Sequence, residues 1–113
     1  MASTRRKHLI YISSISGLAP DTSEASYQAA KRVRVGFARA VRLEEKENGI
    51  STCVICPGMV DTELLEKRPV KPSPETLKVA LQPEDVANAV IAVAKMPARA
   101  AIPEMQILPS FLQ

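Results

Sequence analysis

Glycine is scarce in this chain. Its 113 residues include only Gly17, Gly36, Gly49 and Gly58, each isolated, so no glycine-rich turn that could cradle a phosphate is spelled out. Aromatic residues are equally few. Two Tyr and two Phe cannot lay out the stacking platform of a single-stranded nucleic-acid binder. The net charge is only +3, and the basic run Arg5-Arg6-Lys7 reads as solvated decoration rather than a binding patch. No nucleic-acid partner is expected. There is one histidine, His8, and one cysteine pair, Cys53 and Cys56. A zinc or redox site would want a second pair or more histidines. Cys53 and Cys56 instead fall in the β-rich run 50–56, where residues three apart point to opposite faces, and they read as small buried hydrophobes. No metal site is expected. Long apolar runs are also missing. The one near the N-terminus, Leu9 to Ile12, has four residues, far too few for a membrane span or a signal peptide. A cytoplasmic location is the default expectation.

The remaining composition is that of an ordinary globular protein, 46% hydrophobic and 24% charged, with length enough for one domain. Residues 1–7 are polar and are expected to be disordered. Residues 8–13 read as a first strand, apolar almost throughout, as in a strand buried on both faces. Asp21 with Glu24 three later suggests a capping box and a helix over 22–48, stopped by Gly49. On that helix Arg32, Arg39, Arg42 and Lys46 form a solvated stripe, while Val33, Phe37, Ala40 and Val41 are assigned to the core side. A helix apolar over so much of its circumference should be sandwiched between two partners. One is the sheet and the other a second subunit, which predicts a homo-oligomer through helix 22–48.

A second strand is expected over 50–56, ending at Pro57-Gly58. Prolines 69, 72 and 74 mark a loop with one helical turn over 74–81. Pro83 opens a helix running to Lys95, with Glu84 and Asp85 in its first turn. A short third strand is expected over 104–108. The order β–α–β–loop–α–β predicts an α/β fold: a three-stranded parallel sheet with flanking helices in three layers.

The chemistry concentrates at the strand ends. Tyr27 and Lys31 are four apart and share a helix face. Ser14 follows the first strand, thirteen residues before Tyr27. Pro57-Gly58 follows the second. Ligands of parallel α/β sheets bind beyond the carboxyl ends of the strands, so these features converge in space. Each alone has a plain reading: a surface Tyr-x-x-x-Lys, a strand-end hydroxyl, a turn. Their combination is a proton-transfer arrangement.

Together, Ile12-Ser-Ser-Ile-Ser-Gly17, Tyr27-x-x-x-Lys31, Pro57-Gly-Met-Val-Asp-Thr62 and Gln82-Pro-Glu-Asp-Val-Ala87 resemble the short-chain dehydrogenase/reductase family, in its C-terminal catalytic half. The resemblance runs from His8 onward and implies a partial Rossmann-like fold over 8–113. It also implies an NAD- or NADP-dependent oxidoreductase acting on a small-molecule carbonyl or alcohol. Tyr27 would be the acid/base, Lys31 the cation beside it and a holder of the nicotinamide ribose, and Ser14 the donor to the substrate oxygen. A free phenol titrates at about 10, and a nearby ammonium favours its ionised form. Tyr27, Lys31, Pro57, Gly58, Val60 and Thr62 would line the cofactor, and residues 62–82 would form the substrate loop. The family's glycine-rich fingerprint has no counterpart in these residues, so the chain reads as the later half of a longer enzyme. The alternative reading is a truncated, non-catalytic piece that serves as an interaction or oligomerisation module.

Overall fold

In the computed structural model the described residues are 7–14, 25–60 and 73–112. They form β1 (Lys7–Ile12), α1 (Ala25–Glu45) with a 3-10 turn (Lys46–Asn48), and β2 (Ile50–Pro57). Then come α2 (Pro74–Val79), α3 (Pro83–Ala94), β3 (Glu104–Ile107) and a closing 3-10 turn (Ser110–Leu112). The three strands make one parallel sheet in the order β1-β2-β3. The expected α/β architecture of three parallel strands with flanking helices is what forms.

β2 is the centre of the molecule. Its residues Thr52 to Pro57 are all buried, and alternate side chains serve opposite layers. Val54 and Cys56 pack with Val35 and Ala38 of α1, joined by Tyr11. Cys53 and Ile55 pack with Val93 of α3, joined by Ile10, Met105 and Ile107. The two cysteines thus lie on opposite faces of the sheet, each a free, buried thiol.

The first strand begins at Lys7, inside the span assigned to a disordered terminus, and ends at Ile12. It is not buried on both faces as expected: Leu9 and Ile12 remain 40% and 37% exposed. The reason is its position. Among the described residues β1 lies at the sheet edge, and α1 packs its buried side chains chiefly on β2.

α1 stops where expected. Gly49 takes the left-handed conformation, φ 75°, and its N–H donates to Lys46 O at 3.4 Å. The capping box placed at Asp21 and Glu24 lies outside the described residues. The core side of the helix was misassigned. Val35 and Ala38 are the buried residues, whereas Val33 is 71% and Phe37 57% exposed. Ala40 is exposed as well and Val41 only half-buried. Phe37 still meets the edge of Tyr11, ring centroids 5.8 Å apart.

The C-terminal elements carry their own start signals. Ser73 Oγ accepts from Thr76 N–H at 3.2 Å, with Pro74 opening α2. Pro83 opens α3, where the Gln82 N–H donates to the Asp85 carboxylate at 2.8 Å. Arg39 of α1 pairs with Glu104 of β3, its Nε and Nη2 each donating to one carboxylate oxygen. Both partners are exposed, so the pair adds little to stability.

Candidate active site

The carboxyl ends of β1 and β2 and the first turns of α1 meet at one end of the sheet. Ser13 and Ser14 follow β1 and are both buried. The Ser13 N–H donates to Ile55 O at 2.7 Å, which extends the ladder one step past the strand. Its Oγ donates to the backbone carbonyl of Lys31 at 2.9 Å, tying the strand end to α1. Arg34 Nη1 donates to the carbonyl of Ile12 at 2.6 Å. Neither Ser13 nor Arg34 was singled out in the sequence. The Ser-Ser doublet was the only available signal, and spacing favoured its second member.

Tyr27 and Lys31 are brought together as their spacing requires. Both are partly buried, and the Lys31 Nζ lies 5.3 Å from the centroid of the Tyr27 ring, within cation–π range. No carboxylate pairs with Lys31 among the described residues, where the one ion pair joins Arg39 and Glu104. Burial, and then the positive charge of Arg34, push the Lys31 amine below the usual lysine range.

β2 contributes Pro57, buried, and Gly58, half-buried. The Gly58 N–H donates to Ile107 O at 2.7 Å. Val60 makes a parallel bridge with Leu81, whose N–H donates to Met59 O at 2.9 Å. The two ends of the excursion assigned to substrate, 62–82, are therefore fastened together. Thr62, given a cofactor role, lies outside the described residues.

The two thiols of β2 are buried. Burial pushes Cys53 up to about 11. Burial also raises Cys56, seconded by Glu104 and opposed by the Ser14 backbone N–H. Among the described residues no group of three or more metal-ligating side chains gathers. No helix there is long and apolar enough to cross a membrane. The arrangement holds a phenol, an ammonium and a serine at the mouth of a parallel sheet, the components of a proton-transfer site on a polar small molecule.

The sequence and the fold both have known relatives. Residues 1–72 match the family described as short chain dehydrogenase, and the chain belongs to that family. It is 30% identical over 104 residues to a 3-oxoacyl-[acyl-carrier-protein] reductase of Synechocystis, covering 90% of this chain and 42% of that protein. It is 32% identical over 92 residues to an acetoacetyl-CoA reductase of Shinella zoogloeoides, covering 76% and 38%. Among solved structures, Escherichia coli serine dehydrogenase superposes with a TM-score of 0.70 at 28% identity, covering 88% of this chain and 38% of that one. A closed serine dehydrogenase complexed with NADP+ gives 0.73 at 26% identity, covering 88% and 43%. The chain thus spans less than half the length of the relatives it matches.

Proposed function

We propose that this chain carries the catalytic half of an NAD(P)-dependent oxidoreductase that interconverts a carbonyl and an alcohol. The observation that carries the reading is the Lys31 ammonium held 5.3 Å from the Tyr27 ring, beside the strand end that presents Ser14. When bound, the nicotinamide supplies or accepts the hydride. In the reducing direction Tyr27 gives its hydroxyl proton to the substrate oxygen, so that carbonyl, hydride and proton sum to the alcohol. Lys31 stabilises the negative charge this leaves on the phenol oxygen. Ser14 donates to the substrate oxygen and orients it.

The donor set suits the nicotinamide end of such a cofactor. Lys31 has ammonium donors not taken up by a carboxylate among the described residues, as ribose hydroxyls require. Pro57, Gly58, Val60 and Thr62 would line the ring side. The pyrophosphate would need a glycine-rich turn that these 113 residues do not spell. Residues 62–82 form the substrate loop in this reading, a second copy packs across α1, and the setting is cytoplasmic.

The test follows NAD(P)H oxidation by the purified protein over a panel of carbonyls, with 3-oxoacyl thioesters included because two relatives are reductases named for such groups. Tyr27→Phe should lower turnover by at least about 100-fold, the scale of a lost general acid. Turnover unchanged by that substitution would sink the assignment. The second reading is a non-catalytic interaction module, favoured by the exposed Val33 and Phe37 of α1. A rise in melting temperature on titration with NADP would exclude it.

A further inference from the structure

Arg34 lies one helical turn past Lys31, and its guanidinium leaves its own helix to reach the backbone of β1. The target is specific. In an extended strand the N–H and C=O of one residue point to the same edge, and successive residues alternate. The Ser13 N–H points towards β2, where it meets Ile55 O. The carbonyl of Ile12 therefore points the other way, to the edge where no strand pairs among the described residues. Arg34 Nη1 satisfies that carbonyl at 2.6 Å. One residue on, Ser13 Oγ donates to Lys31 O at 2.9 Å in a buried position. A carbonyl has two lone pairs, so Lys31 O accepts this bond without leaving the helical ladder. Two consecutive residues of the strand end are thus fastened to two α1 residues three apart, and the residue that follows is Ser14.

We propose that Arg34 is a positioning residue for the cluster of Ser14, Tyr27 and Lys31, clamping the end of β1 to the helical turn that presents the lysine. Its catalytic meaning rests on the function proposed above; the clamp itself does not. Proton transfer needs its partners held to within about 0.5 Å. A strand end that follows a helix as one body meets that demand better than two elements packed only through side chains. The charge on Arg34 has a second effect in the same place, since it is the nearby charge that disfavours the Lys31 ammonium.

The test uses the whole chain and reads amide hydrogen exchange in wild type, Arg34→Met and Arg34→Lys. Arg34→Met should speed exchange at Ser13 by about tenfold, as local fraying does, while the Val54 and Ile55 amides of β2 keep their rates. Arg34→Lys, which retains a charged donor, should restore most of the protection. An unchanged Ser13 rate would overturn the clamp. So would equal acceleration at Val54, which would mean general destabilisation. In the activity arm Arg34→Met should lower kcat about tenfold with KM held within about twofold, the mark of lost positioning. Turnover that survives Tyr27→Phe would defeat the proposed function and leave the exchange result standing.

Discussion

Lys31 is held in an environment that disfavours its charge, and this has a measurable consequence. Burial first, and Arg34 second, lower its pKa below the ordinary value of 10.5. At neutral pH the amine is charged in both folded and unfolded chains, so the fold bears the cost of holding an ammonium there. As pH rises through the depressed folded pKa, the amine in the fold loses its proton before the unfolded one does. The cost disappears over that window, which closes near the ordinary value. Lys31→Met should therefore raise the melting temperature at neutral pH while removing the proposed activity. Its advantage over wild type should shrink as pH climbs towards about 10. A difference that stays constant across that range would show that Lys31 is not disfavoured. At this scale the sequence was informative where one rule sufficed: a spacing of four set Tyr27 against Lys31. It was silent on Arg34, because nothing local says which edge of β1 the Ile12 carbonyl faces.

Gly58 shows how elements constrain one another around the site. Its backbone is unexceptional, since Gly49 is the one glycine with positive φ among the described residues. Space is what excludes a side chain. A Cβ there would stand 3.1 Å from Pro109 Cδ and 3.2 Å from Leu108 Cδ2. The leucine terminus can rotate away, but the proline ring is fully buried and cannot. Gly58 must let the segment after β3 cross close to the end of β2, where its N–H holds Ile107 O. Gly58→Ala should cost about 1–3 kcal/mol, the usual penalty for overpacking, readable as a lower denaturant midpoint at unchanged slope. Stability equal to wild type would mean that this crossing is soft. The Pro57-Gly58 turn was legible as the end of a strand; its packing partner, fifty residues downstream, was not. The phase of α1 was misjudged for a related reason. Counting apolar letters selects Val33 and Phe37, but the sheet binds the stripe through Lys31, Val35 and Ala38. Val33 lies about 200° around the axis from Val35 at roughly 100° per residue, on a different face of the helix.

That leftover face bears on the whole molecule. The two layers of core are thin, each a few side chains from β2 and its neighbours, and β1 stands at the sheet edge among the described residues. Val33 and Phe37 are then exposed on a helix whose other side is already committed to the sheet. Apolar surface of this kind is favourable to remove from water at about 25 cal/mol per Å². A second copy offers the same surface in return, as two-fold pairing requires. The chain is therefore expected to associate through α1, and the association should depend on concentration. Val33→Asp places a charge in that patch without touching the buried stripe, so it should leave the circular dichroism spectrum unchanged. Sedimentation velocity over a tenfold concentration range should show the wild type growing heavier while Val33→Asp stays small. If the variant sediments like the wild type throughout, α1 is not the contact, and the edge of β1 left unpaired among the described residues becomes the surface to probe by placing a proline at His8, whose N–H faces that edge and not β2.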